Sequence, residues 1–203
     1  LTLYSQHKIG ASGWQVWGCW RPRHGCTVGG DFCYIGGYKE NSLLVACVDV
    51  LGHGEEAYRS LERIQSVIEK GGESLVDIFH NIETTAFHLR GCALFLGKLE
   101  KRFLEYILVG NIRAWIINPG DIDCLLGQSG VVGGRRIVPA LRRVQLGEQS
   151  MLLTCSDGIK RSFFPGNLPR QWWWDDGLAI ICSILEEFGI GEDDASIIMG
   201  RRW

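Results

Sequence analysis

The chain has 203 residues, 46% hydrophobic and 22% charged, which suits one folded domain spanning 1–203 that buries roughly 70% of its unfolded surface. Lys and Arg number 21 against 23 Asp and Glu, a formal charge of −2, so the basic field that a nucleic-acid partner requires is absent. No apolar run reaches the ~20 residues of a membrane helix, and the first residues lack the core of a signal peptide, so a cytoplasmic protein with no membrane partner is expected.

Twenty-seven glycines divide the chain into short segments. Alternation around Trp14, Val16 and Gly18, then β-branched and aromatic runs at 32–38 and 43–50, predict three opening strands, with Val45, Cys47 and Asp49 on one face of the third. From Gly54 the period lengthens: Ala57, Leu61, Ile64 and Ile68 mark a helix that ends at Gly71-Gly72. A second helix opens at Glu73-Ser74 and carries Leu75, Ile78, Phe79, Ile82, Ala86 and Leu89 on one stripe up to Gly91. Strands return at 93–99, 103–109, 113–118, 121–126 and 151–154, joined by short turns and expected to pair as an antiparallel meander. A last helix at 177–188 and a strand at 195–199 complete an α+β pattern, since runs of strands and segregated helices do not alternate as in a doubly wound sheet.

The eight cysteines include no C-x-x-C pair and fall mostly within apolar runs, so they read as small buried hydrophobes in a reducing compartment, not as a disulfide or zinc framework. Cys155, in the apolar run two residues before Asp157, reads the same way.

Four stretches place aspartate where a strand meets a turn: Gly29-Gly30-Asp31, Asp49-Val50-Leu51-Gly52-His53-Gly54, Ser156-Asp157-Gly158 and Glu192-Asp193-Asp194-Ala195-Ser196. Any one of them alone reads as a turn cap. Asp49 and Asp157, however, each close an apolar run with no adjacent Lys or Arg, and a buried carboxylate without a cation costs several kcal/mol. Convergent carboxylates and carbonyls are the donors that hard divalent ions such as Mg²⁺ and Mn²⁺ accept.

In order and wording, Gly29-Gly30-Asp31-Phe32, the run from Val45 through Asp49-Val50-Leu51-Gly52-His53-Gly54 to Ala57, Thr154-Cys155-Ser156-Asp157-Gly158 and Asp193-Asp194-Ala195-Ser196 resemble the SpoIIE/RsbU branch of the metal-dependent PPM protein phosphatases. The resemblance covers nearly the whole chain and is strongest to the RsbX type, the feedback phosphatase of the bacterial stressosome. It implies a four-layer α-β-β-α sandwich, two central antiparallel sheets flanked by helix pairs, with two Mn²⁺ or Mg²⁺ ions at one end of the sheets. It further implies that Asp49 bridges both metals, that the backbone carbonyl of Val50 binds one, and that Asp157 and Asp193 bind the other. Asp31 would act directly or through a metal-held water, and Asp194 would stand behind the ligands. Catalysis would need no protein nucleophile, because water activated by Asp49, Asp157 and their ions attacks phosphorus. The implied substrates are phosphorylated STAS-domain proteins of a stress-signalling complex, acted on by a monomer. Tyr34 and Cys92 depart from the pattern, where relatives often carry an acidic residue and a threonine; neither position is an implied ligand.

Weaker features carry two readings each. His53 either protonates a leaving seryl or threonyl oxygen or hydrogen-bonds its loop. Arg21 and Arg23 either steer a phosphate or are solvated loop charges, and the same holds for Arg135, Arg136, Arg142 and Arg143 as a patch for an acidic partner. Of Trp172-Trp173-Trp174 at least one ring should be exposed beside Arg170, so Trp173 and Trp174 are candidates for substrate docking or, alternatively, for packing. Two other functions fit the same residues: a pseudophosphatase serving as a partner-binding scaffold, or a small-molecule phosphomonoesterase such as a phosphoserine phosphatase.

Overall fold

A computed structural model describes residues 3–10, 12–169 and 175–202. Two antiparallel sheets lie at the centre. The strands are β1 (Tyr4–Ile9), β2 (Trp14–Arg21), β3 (Asp31–Tyr38), β4 (Ser42–Val50), β5 (Cys92–Leu99), β6 (Phe103–Val109), β7 (Arg113–Asn118), β8 (Asp121–Cys124), β9 (Arg142–Gln145), β10 (Met151–Cys155) and β11 (Ala195–Arg202). One sheet runs β1-β2-β11-β10-β7-β8 and the other β3-β4-β5-β6-β9. Helices α1 (Gly54–Lys70) and α2 (Leu75–Phe87) cover the five-stranded sheet; α3 (Gly177–Phe188) covers the six-stranded one.

The period of two explains the layering. Along β4, Leu44, Ala46, Val48 and Val50 join the core under α1 and α2, while Leu43, Val45 and Cys47 face the other way into the core between the sheets. A strand buried on both faces shows an unbroken apolar run, which is how 43–50 stood out. A third core, with Trp17, Leu153, Ile181 and Ile184, fills the space under α3.

Helix α1 buries Ala57, Leu61, Ile64 and Ile68 as predicted, begins with Glu55 and Glu56, and has Lys70 in its last turn, charges that suit the helix dipole. Gly71 ends it at φ 70°, a left-handed position. At the start of α2 the Ser74 hydroxyl accepts the Asp77 N–H at 3.1 Å.

The structure departs from the sequence reading in four ways. The predicted meander is divided: β5 and β6 pair in one sheet, but β7 belongs to the other, because its inward residues Ala114 and Ile116 close the core between the sheets from the opposite side. Strands β1 and β9 were not expected; both are edge strands with little burial, so neither shows a core-facing alternation. Arg142 and Arg143 therefore belong to β9, where Arg143 lies 3.9 Å over the Phe103 ring and near Glu100 and Glu105, and not to a free basic loop. Among the described residues the layer over the six-stranded sheet holds α3 and a short 3-10 turn, Pro165–Asn167, in place of a helix pair. Of the cysteines, Cys19, Cys33, Cys47, Cys92 and Cys155 are buried as expected, whereas Cys124 is exposed and Cys26 and Cys182 are half-buried. No described helix is long and apolar enough to cross a membrane.

Candidate metal centre

Asp31 opens β3 and Asp49 is the last but one residue of β4; the two stand directly opposite in the ladder. Cys33, Ile35, Val45 and Cys47 line the core between the sheets, so the alternation carries Asp31 and Asp49 to the mouth of that same space. From the facing sheet, Asp157 follows the end of β10 and Asp193-Asp194 precede the start of β11, two strands paired through Cys155 and Ile197. All four acidic stretches thus meet at one end of the sandwich.

Electrostatics report how closely they meet. Burial pushes the Asp49 carboxyl up to about 9, and the charges of Asp31, Asp157 and Asp193 add to it, with a carboxyl–carboxyl hydrogen bond to Asp157. Asp193 is raised by burial and by Asp157 and Asp194, while His53 acts in the opposite direction. Among the described residues none of Asp49, Asp157 and Asp193 has an ion-pair partner. Asn111, in the turn between β6 and β7, donates to Asp157 Oδ2 at 2.7 Å.

Asp31 is buried, and burial raises its carboxyl well above the ordinary range; hydrogen bonds from Ser156 and Ser196 work against that rise. Ser196 Oγ donates to Asp31 Oδ2 at 2.7 Å, and Ser156 Oγ accepts the Ser196 N–H at 3.0 Å. One Asp31 oxygen is therefore committed inward.

Asp193 and Asp194 have separate duties. Asp194 is 3% exposed and its carboxylate accepts the Arg23 N–H at 2.8 Å and the Gly30 N–H at 2.6 Å, which ties the 22–30 loop to the start of β11. Both of its oxygens are thereby committed to main-chain N–H groups. The motif glycines serve this same packing. A Cβ on Gly29 would fall 2.6 Å from the Asp194 carboxylate, and one on Gly158 only 1.8 Å from the Asp194 carbonyl oxygen. On Gly30 it would lie 2.9 Å from the Val50 carbonyl oxygen, so that glycine leaves the Val50 carbonyl uncovered.

Of the remaining candidates, His53 is exposed at the N-cap of α1 and makes no side-chain cap hydrogen bond there. Arg21 is neither a solvated charge nor open to phosphate: it is buried and donates to the carbonyls of Pro22 (3.2 Å), Asp193 (3.1 Å) and Ile190 (2.9 Å). Arg23 donates from Nε to Cys26 Sγ at 3.3 Å. Trp173 and Trp174, with Arg170 and Trp172, lie outside the described residues. Cys155 is buried and its thiol is pushed up to about 12 by burial, which suits a core residue. Ser156, Ser196 and Asn111 escaped the sequence reading; the available signal was a serine beside the acidic residue in both late motifs.

The donor set fits a hard divalent cation. Three carboxylates without a cationic partner repel one another and present only oxygen to an ion. Among the described residues no three His, Cys, Asp or Glu side chains are already closed around one point.

No protein-family model and no curated protein sequence matches the chain. Solved structures do. RsbX in complex with magnesium superposes at a TM-score of 0.84, with 20% identity over 98% of this chain and 100% of that one. A chain from work on the bacterial stressosome, a modular system adapted to control secondary messenger signalling, gives 0.78 with 24% identity over 99% and 100%. The catalytic domain of the serine/threonine protein phosphatase PstP, in complex with two manganese ions, gives 0.67 with 12% identity over 98% and 99%. The chain has the α+β fold of the PPM-type serine/threonine phosphatases.

Proposed function

We propose that the protein is a Mn²⁺- or Mg²⁺-dependent protein serine/threonine phosphatase, cytoplasmic, monomeric and built as a single domain, and that its substrates are phosphorylated STAS-domain proteins of a stressosome. The observation that carries the reading is the meeting of Asp49, Asp157 and Asp193, from three separate segments, as a carboxylate cluster with no cationic partner at one end of a PPM-type fold. The stressosome substrate is supported by two fold neighbours, RsbX and the stressosome chain.

In this reading the carboxylates of Asp49, Asp157 and Asp193 and the carbonyl of Val50 hold the ions. Two bound ions supply a water ionised near neutral pH and positive charge for the phosphoryl oxygens. Ser156 and Ser196 hold Asp31 facing the mouth, and Asn111 fixes the Asp157 carboxylate in one orientation. In the same reading His53, exposed at the start of α1, hands a proton to the leaving seryl or threonyl oxygen.

The test is release of phosphate from a phosphorylated STAS domain, from a phosphoserine peptide and from free phosphoserine, each with Mn²⁺ and with EDTA. The expected result is metal-dependent turnover with kcat/KM highest on the phosphorylated domain. Metal binding without hydrolysis of any of the three would make the chain a scaffold, and a preference for free phosphoserine would make it a small-molecule phosphatase.

A further inference from the structure

Three arginines bond the turns that bear the three clustered aspartates: Arg21 and Arg113 each take several main-chain carbonyls, and Arg90 takes one carbonyl together with a carboxylate. Arg113, the first residue of β7, donates from Nη2 to Ile159 O at 2.6 Å and from Nη1 to Lys160 O at 3.3 Å and Phe163 O at 3.4 Å, all in the turn that follows Asp157. Arg21, the last residue of β2, bonds the carbonyl of Asp193 itself and that of Ile190 before it. Arg90, between α2 and β5, donates from Nη1 to Leu51 O at 3.2 Å, two residues past Asp49, and pairs through Nη2 with Glu56 in the first turn of α1.

The choice of arginine needs a reason. Among the described residues Arg21 and Arg113 make no ion pair, and Arg21 is only 3% exposed. A buried cation without a carboxylate is unfavourable unless its donors are satisfied, and here carbonyls satisfy them. A neutral side chain would close the same turns without that penalty. What the guanidinium adds is a rigid planar fork that, at Arg21 and Arg113, bonds two or three carbonyls at once and, at Arg90, joins the Leu51 carbonyl to the Glu56 carboxylate, and so fixes their relative positions. Carboxylates that repel one another would splay the turns carrying them; a fork on each turn opposes this before any cation arrives.

We infer that Arg21, Arg90 and Arg113 are positioning residues, which preset the turns of Asp193, Asp49 and Asp157 to receive divalent cations. This rests on the metal-dependent reading above and assigns the assembly of that site to residues that touch neither ion nor substrate. Lysine separates the two ways an arginine can act: it keeps the charge but not the fork.

The experiment titrates Mn²⁺ into the metal-stripped full chain and reads free Mn²⁺ by its electron paramagnetic resonance signal, for wild type, Arg21→Lys, Arg113→Lys and Arg90→Ala. Melting curves and p-nitrophenyl phosphate turnover at varied Mn²⁺ accompany it. Arg21→Lys and Arg113→Lys should weaken Mn²⁺ binding about 10–100-fold, and Arg90→Ala, whose side chain is 41% exposed, about 10-fold, with kcat largely retained at saturating Mn²⁺. Wild-type Mn²⁺ affinity in the folded variants, with or without a lowered melting temperature, would overturn the inference, since the forks would then be structural only. Absence of Mn²⁺ binding by the wild type would overturn the metal reading along with it. Should Arg21→Lys fail to fold, Arg113→Lys and Arg90→Ala decide the matter by the same readings.

Discussion

The middle of the space between the two sheets and its mouth are built from the same strands and could hardly differ more in chemistry. In the middle, Ile35, Val45, Cys47 and Phe95 are buried, and their contacts exclude water without leaving a charge. At the mouth, the same alternation of β3 and β4 delivers Asp31 and Asp49, one buried and one half-buried, with the charges of Asp157 and Asp193 acting on Asp49 from the facing sheet. One region stabilises the fold and the other works against it. A protein keeps an unfavourable arrangement of this kind where a ligand relieves it.

The sharpest way to break this comparison is to neutralise the mouth. Asp49→Asn should reduce metal-dependent hydrolysis about a thousandfold or more, since bound ions are worth several kcal/mol to phosphoryl transfer. The same substitution should raise the melting temperature in EDTA, because it removes a carboxyl that burial and neighbouring charges hold up at about 9. Activity assays with Mn²⁺ and melts without it check both halves. A variant that lost activity and stability together would contradict the division between the regions.

The reverse experiment truncates the middle. Phe95→Ala should cost about 3–5 kcal/mol of stability by chemical denaturation while leaving the Mn²⁺ affinity of the folded fraction near wild type. Between the two regions lies the glycine packing. Gly158→Ala drives a methyl group into the Asp194 carbonyl and should lose about 1–3 kcal/mol or more and weaken metal binding. Gly25→Ala, at φ 83° but with open space around it, should cost only about 1 kcal/mol and leave binding unchanged.

Proton linkage sharpens the comparison further. The Asp49 carboxyl stands at about 9 in the metal-free fold, against about 3.9 for an unfolded aspartate. The folded apoprotein therefore holds a proton that the unfolded chain has released, and its stability from this group is full below pH ~4 and lost as pH rises towards about 9. Melting temperatures in EDTA should decline across that window by more in wild type than in Asp49→Asn, and Mn²⁺ affinity should increase across it as the competing proton is removed. At the rim, His53→Ala should lower kcat about 10–100-fold with little change in Mn²⁺ binding, seen best as altered pH dependence of kcat.

Much of this architecture was legible without coordinates. Helices α1 and α2 declared themselves through Ala57, Leu61, Ile64 and Ile68 and through Leu75, Ile78 and Ile82, and β4 through an apolar run closed by an acid. These are local signals, one side chain's neighbours lying three, four or two residues away. The acids of the site were legible for a similar reason, each being a charge at the end of a strand beside glycine. Edge strands β1 and β9, by contrast, bury too little to leave a pattern, and the assignment of β7 to the opposite sheet depends on which face meets which core.

What only the tertiary structure decided was the identity of partners distant in sequence. Nothing within reach of Arg21 along the chain says that it wraps the carbonyls of Ile190 and Asp193, and nothing beside Asp194 says that its oxygens hold Arg23 and Gly30. By itself the sequence determined which segments are strand or helix and which ends carry charge, because periodicity and turn chemistry act over a few residues. Convergence was settled by the register of β3 against β4 and of β10 against β11 within each sheet, and by the packing of one sheet on the other, which brings Ser196 onto Asp31, 165 positions away.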